Sequence, residues 1–290
     1  MKKCPNCGKE YPDEVERCLI DNELLLSGQP QTEVLSTTEP VPVSTARSAE
    51  SIDWRRSIFE ILLVCGVAFG VGLMGSVYSL IFPINGSATS GDTGGDISYA
   101  PAQIYKWLVS CFRELMALVL LGYVLRRRGW SFRDLGLTWA WRDLGWGIVL
   151  VMVTNWSCIA FYDFLYVTGF TTASHKVATL HAGQILFGGG VTITTLLFQI
   201  INPFFEELIV RAYLITEIMR LSGSAAKAVA VSVILQTSYH LYQGIPSALS
   251  LGVIFLISSI YYVRTKRIMP VIIAHLFMDV GATLWFMAHR

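Results

Sequence analysis

Asn202-Pro203-Phe204-Phe205-Glu206-Glu207-Leu208-Ile209-Val210-Arg211 is the stretch on which the fold turns. It lies deep in a long apolar region, yet Glu206, Glu207 and Arg211 put three formal charges into six residues. One acidic residue at the centre of a membrane helix costs about 2.5–3.5 kcal/mol on insertion scales, so two adjacent ones call for a compensating role. Pro203 suits the first turn of a helix, where its missing N–H costs little, so a new helix is expected over 203–221. In such a helix Glu207 and Arg211 stand at i and i+4 on one face and can pair. Glu206 is turned about 100° away, with Val210 at its own i+4 position. Glu207 therefore reads as half of an ion pair, and Glu206 as an unpaired intramembrane carboxylate, the kind of group that marks a functional site. The alternative is that both carboxylates sit in water at a helix N-terminus, favoured by the helix dipole.

The surroundings are those of a membrane protein. Of 290 residues, 53% are hydrophobic and 15% charged. The mean hydropathy of +0.52 is too high for an ordinary soluble domain. A formal net charge of +1 excludes a global electrostatic pull toward nucleic acid. A crossing needs about 20 apolar residues. The segments expected to cross are 58–82, 104–125, 144–169, 185–201, 225–242, 246–263 and 270–287, with the acidic helix re-entrant or partly inserted. The fold class is thus an all-α polytopic membrane bundle of about seven to eight helices, spanning residues 54–290. Gly66, Gly70, Gly72 and Gly75 suggest close packing of the first span. Arg113 and Glu114 require one side of the second to face protein.

Basic residues orient the bundle. With the N-terminus cytoplasmic, the cytoplasmic flanks hold Arg55, Arg56, Arg126, Arg127, Arg128, Arg133, Arg142, Arg220, Lys227, Arg264, Lys266 and Arg267, against Lys106, Lys176 and Arg290 outside. The expected location is the plasma membrane, with the bilayer as the chain's first partner. No cleaved leader is expected, because Met-Lys-Lys is followed by a polar Cys-containing segment and not by an apolar run.

Residues 1–26 carry Cys4-Pro-Asn-Cys7-Gly8 and Cys18-Leu-Ile-Asp21. A Cys-x-x-Cys-Gly turn is a zinc knuckle, and Asp21 falls where the last ligand of a second knuckle would be. Three thiolates and a carboxylate could hold one structural zinc; a redox Cys pair or an unligated tail are the other readings. The segment resembles the short zinc ribbons at the ends of many prokaryotic proteins, with Asp21 in place of the usual Cys. Residues 27–53 are rich in Ser, Thr, Pro and Glu and read as a flexible linker. Cys65, Cys111 and Cys158, scattered through apolar segments, read as buried thiols.

Two further polar islands lie in expected spans: Gln236-Thr237-Ser238-Tyr239-His240, and His275-Leu-Phe-Met-Asp279. A lone intramembrane His is often a helix–helix hydrogen-bonding residue. His275 and Asp279, however, stand at i and i+4, so the carboxylate can orient the imidazole. Two His and one free Glu on three helices meet the needs of hydrolysis: a base to activate water and a polar centre for the developing oxyanion.

The ordered pattern Glu206-Glu207-x-x-x-Arg211, His240, His275-x-x-x-Asp279 resembles the CAAX-protease and bacteriocin-processing (CPBP, or ABI) family of intramembrane proteases, to which the Ras-converting CAAX endoprotease belongs. The resemblance covers roughly residues 100–290. It departs at Gln236, where the family usually has Phe, and at Ala212, where Gly is frequent; Asp279 stands where the family accepts Asn or Asp. It implies an endopeptidase of membrane-associated peptides or proteins. Glu206 and His240 would activate water, His275 and Asp279 would complete the site, and Glu207 and Arg211 would hold the helix. It also leaves two mechanisms open. Glu206, His240 and His275 would supply the ligand count of an open catalytic zinc site. Alternatively, a Glu–His dyad acts without metal and the third motif forms the oxyanion hole. The competing readings are a non-catalytic scaffold of the same fold and a proton-relaying transporter, although no inverted repeat is visible.

Overall fold

The structure, a computed structural model, describes residues 2–3, 10–11, 54–82, 100–188 and 190–289. At the N-terminus β1 (Lys2–Lys3) pairs antiparallel with β2 (Glu10–Tyr11). Cys4, Cys7, Cys18, Asp21 and the linker over 27–53 lie outside the described residues.

The rest is helical: α1 (Trp54–Ile81), α2 (Ala100–Arg127), α3 (Trp141–Val167), α4 (His175–Phe187), α5 (Ile193–Glu206), a π segment (Glu207–Leu214), α6 (Ile215–Ser222), α7 (Ala225–Tyr239), α8 (Ile245–Thr265) and α9 (Met269–His289). Among the described residues, six helices are long and apolar enough to cross a membrane. One of them is the continuous run Ile193–Ser222, made of α5, the π segment and α6. The chain is a polytopic all-α membrane protein. Its outer faces show the expected inversion, with Leu62, Met74, Phe112, Met152 and Trp156 exposed to what would be lipid.

Two expectations about the centre need correction. Residues 185–201 do not form one span, and Pro203 does not begin a helix. The break falls at Gly188–Gly190, where Gly190 takes φ +100°, a left-handed backbone that a side chain would resist. The start signal is Thr192, whose hydroxyl accepts from Thr195 N at 3.4 Å while Thr192 N donates to Thr195 Oγ1 at 3.1 Å. From there the apolar run has no Gly to end it before Gly223. Pro203 is carried inside, because membrane helices tolerate the carbonyl it leaves free when neighbouring groups satisfy it. The winding then widens into eight π residues, every one of them buried. The acidic stretch therefore continues a helix that is long and apolar enough to cross, and does not start a helix of its own.

The helices meet at one end through charge. Arg128 Nε donates to Glu60 Oε2 at 2.6 Å, and its Nη1 lies 2.6 Å from Glu217 Oε1. Arg220 Nη2 reaches Glu217 Oε2 at 2.8 Å and Ser57 Oγ at 2.6 Å. This ties the start of α1, the end of α2 and the end of α6 together. Beside them Arg267 grips Asp143 with two hydrogen bonds of 2.9 and 2.7 Å. Those bonds hold the Arg267 guanidinium above its ordinary pKa. Ile268 N donates to Gly136 O at 3.3 Å. The basic flanks grouped by the charge count, 126–142, 220 and 264–267, thus share one end of the bundle.

Of the α1 glycines only Gly72 faces another helix, and the tightest glycine packing between helices lies elsewhere. A Cβ on Gly66, Gly70 or Gly75 would meet nothing within 4 Å and one on Gly72 would lie 3.5 Å from Tyr239 Cβ, whereas one on Gly147 would come within 2.5 Å of Ile273 Cγ2. Gly147 is what lets α3 lie against α9.

Candidate active site

The buried polar residues of the central helix gather the other two islands around them. Glu206 closes α5 and Glu207 opens the π segment; they are 7% and 2% exposed, and Arg211 is 1% exposed. Arg211 Nε stands 2.9 Å from Glu207 Oε2, the pairing expected from the i, i+4 spacing. Phe255 of α8 covers the guanidinium, with Cζ 5.2 Å from the ring centroid. The second oxygen of Glu207 is also engaged: His275 Nδ1 on α9 lies 2.8 Å from Oε1. Glu207 is thus a clamp between two helices, beyond the purely intrahelical role read from spacing.

Glu206 is not left over. Gln236 Nε2, from α7, donates to its Oε2 at 2.8 Å. Four residues on, His240 caps α7, and its Nδ1 is 2.8 Å from Gln236 O. A carbonyl oxygen only accepts, so Nδ1 carries a proton, and in the neutral form of the ring the lone pair lies at Nε2. Phe255 (5.1 Å), Tyr239 (4.7 Å) and Tyr242 (6.2 Å) flank the imidazole. Phe255 therefore touches both Arg211 and His240.

Asp279 Oδ1 comes 3.6 Å from His275 Nε2, too far for a hydrogen bond. Asn202, the first residue of the deciding stretch, faces the Asp279 carboxyl. Gln199 Nε2 donates to Asp279 O at 3.3 Å. Glu114 of α2 is 1% exposed, and its Oε1 lies 3.7 Å from Arg113 Nη2. Its Oε2 has no hydrogen-bond partner among the described residues.

Sequence reasoning flagged Glu114 only as a reason for α2 to face protein. It read Gln236 only as a departure from a pattern and gave Asn202 and Gln199 no role. The signal for all four was the same: polar side chains inside apolar helices need partners.

A metal would need at least three converging ligands. Among the described residues no three His, Cys, Asp or Glu side chains stand together in a way that could hold one. Glu206 Oε2, His240 Nδ1 and His275 Nδ1 each meet a protein partner, contacts of the kind that orient an imidazole whether its other nitrogen serves a metal or a water. As placed, these side chains form a hydrogen-bonded acid–base array.

No curated protein and no solved structure matches the chain. Residues 188–281, which carry the acidic stretch, His240, His275 and Asp279, match the family model described as type II CAAX prenyl endopeptidase Rce1-like, the group that the ordered motifs resemble.

Proposed function

We propose that the chain is an intramembrane endopeptidase that hydrolyses a peptide bond in a membrane-associated peptide or protein. The observation that carries this is the pairing of Glu206 with His240 through one residue, Gln236, inside a helical bundle. Glu206 is the base: its carboxylate takes a proton from water as the water oxygen bonds to the scissile carbonyl carbon. His240 Nε2, the free lone pair, accepts from the same water and orients it. The carbonyl oxygen gains the negative charge, and His275 on the facing helix supplies polar stabilisation there. Collapse of that intermediate breaks the C–N bond, and the proton held by Glu206 passes to the departing amine. Glu207 and Arg211 keep the helix and His275 in register. No step here needs a metal.

The same reading gives the chain a cytoplasmic N-terminus in the plasma membrane. It also gives a zinc ribbon at Cys4, Cys7, Cys18 and Asp21, outside the bilayer. The substrate is a peptide or membrane protein whose scissile bond reaches the depth of Glu206. The test is cleavage of a quenched peptide library by the purified protein in lipid nanodiscs, with and without chelator. Cleavage that is absent in Glu206→Gln supports the reading. Equal cleavage by wild type and Glu206→Gln puts the chemistry elsewhere and favours a scaffold or transporter.

A further inference from the structure

Gln236 is 0% exposed, on an α7 turn that faces the central helix. A buried primary amide has to satisfy two donors and an acceptor, and here the donor end is turned to Glu206. The reverse orientation would set Oε1 against a carboxylate oxygen, so the amide has one electrostatically allowed direction. The main-chain oxygen of the same residue holds His240 Nδ1. One residue on one turn therefore fixes the rotamer of the carboxylate and the tautomer of the imidazole. Its remaining polar atom, Oε1, is buried without a partner among the described residues. That acceptor is one carbon away from the amide nitrogen that touches Glu206.

We propose that Gln236 is the positioning residue of the water-activating pair. It orients the Glu206 carboxylate through its side-chain amide and His240 through its main-chain oxygen, so that one water can give one O–H to each. The position is where the family resemblance predicts Phe, a side chain with no N–H to give. The role belongs to this chain and rests on the peptidase reading above.

The experiment compares wild type, Gln236→Met, Gln236→Glu and Glu206→Gln, in nanodiscs, on whichever library peptide wild type cleaves. Methionine keeps length and apolar packing but removes the amide. The expected result is a roughly 10- to 100-fold fall in kcat with KM within about twofold, the size seen when groups that orient reacting residues are lost. The acidic limb of the kcat/KM profile should move to higher pH, because an ionised carboxylate loses a donor that favoured it. Thermal stability should stay within about 3 °C. Should Gln236→Met fold poorly, Gln236→Glu carries the test. Its carboxyl can donate to Glu206 only while protonated, so activity should survive at low pH and fall on a new alkaline limb. Wild-type kcat and an unmoved profile in either variant, with Glu206→Gln inactive, overturn this inference and leave the peptidase reading standing. If wild type cleaves nothing, both fall together.

Discussion

Glu207 Oε1 lies 2.8 Å from His275 Nδ1 while Glu207 Oε2 lies 2.9 Å from Arg211 Nε, so one carboxylate joins the π segment to α9. Spacing alone makes Glu207 a partner of Arg211 and nothing more. The second contact gives it a say in where His275 points, and hence in the geometry of the polar centre.

Glu207→Gln should therefore be costly twice over. It strands Arg211 as a buried charge, which typically costs about 3–5 kcal/mol, and it loosens His275. Thermal unfolding in detergent should show a large drop, and turnover of the surviving folded fraction should also fall. Adding Arg211→Met removes the lone charge and should return part of the stability without returning the activity. A double variant as unstable as the single one would contradict the pairing.

Glu206→Gln should behave differently. The amide can still accept from Gln236, so the local packing survives. Yield and melting temperature should stay near wild type while turnover disappears, and His240→Ala should match it. A Glu206→Gln protein that unfolds early would move Glu206 from chemistry to structure.

The shared end of the bundle is testable without any substrate. In a background without other cysteines, Arg133→Cys and Lys227→Cys should react with an impermeant thiol reagent from the same side, and Thr168→Cys from the other. The basis is the network joining Glu60, Arg128, Glu217 and Arg220 at one end. Labelling of 133 and 227 from opposite sides would break the topology. Which side is cytoplasmic follows from the excess of Arg and Lys at that end, expected to face inward.

The N-terminal segment has its own readout. The full-length protein should carry about one zinc per chain by elemental analysis, the number one closed four-ligand site would hold. Cys4→Ala should abolish it and Asp21→Ala weaken it. Equal zinc in wild type and Cys4→Ala would leave residues 1–26 as an unligated tail.

Much of this architecture is legible in the residues. The i, i+4 spacing of Glu207 and Arg211 gives their pairing, and the charge pattern groups the flanks that the structure brings to one end. What escapes is what periodicity cannot encode. Pro203 looks like a start because proline favours the first turn of a helix, whereas the cap at Thr192, eleven residues earlier, takes that role. The π segment has no compositional sign, since its residues would serve equally well in an α-helix. Glu206 looks free because its partner comes from another helix, thirty residues on in sequence. Pairings within a turn can be read from one helix, but pairings across helices depend on how the helices lie together.

The shortness of α7 bears on the membrane itself. Fifteen residues rise about 22 Å, against a hydrocarbon thickness of about 30 Å. The helix gives out at Tyr239, and the chain turns through His240, the single turn Leu241–Gln243 and Gly244 before α8 begins. Non-helical backbone at that depth persists only where protein or water lines it. The turn Leu241–Gln243 packs on α1 and α8, so protein lines this corner. A hydrolytic centre buried in lipid faces a supply problem, since its co-substrate is the one molecule the surroundings exclude. On the proposed peptidase reading, the abrupt end of α7 next to His240 is the place for water to enter, and the thickness of the host membrane would then bear on how fast the centre turns over.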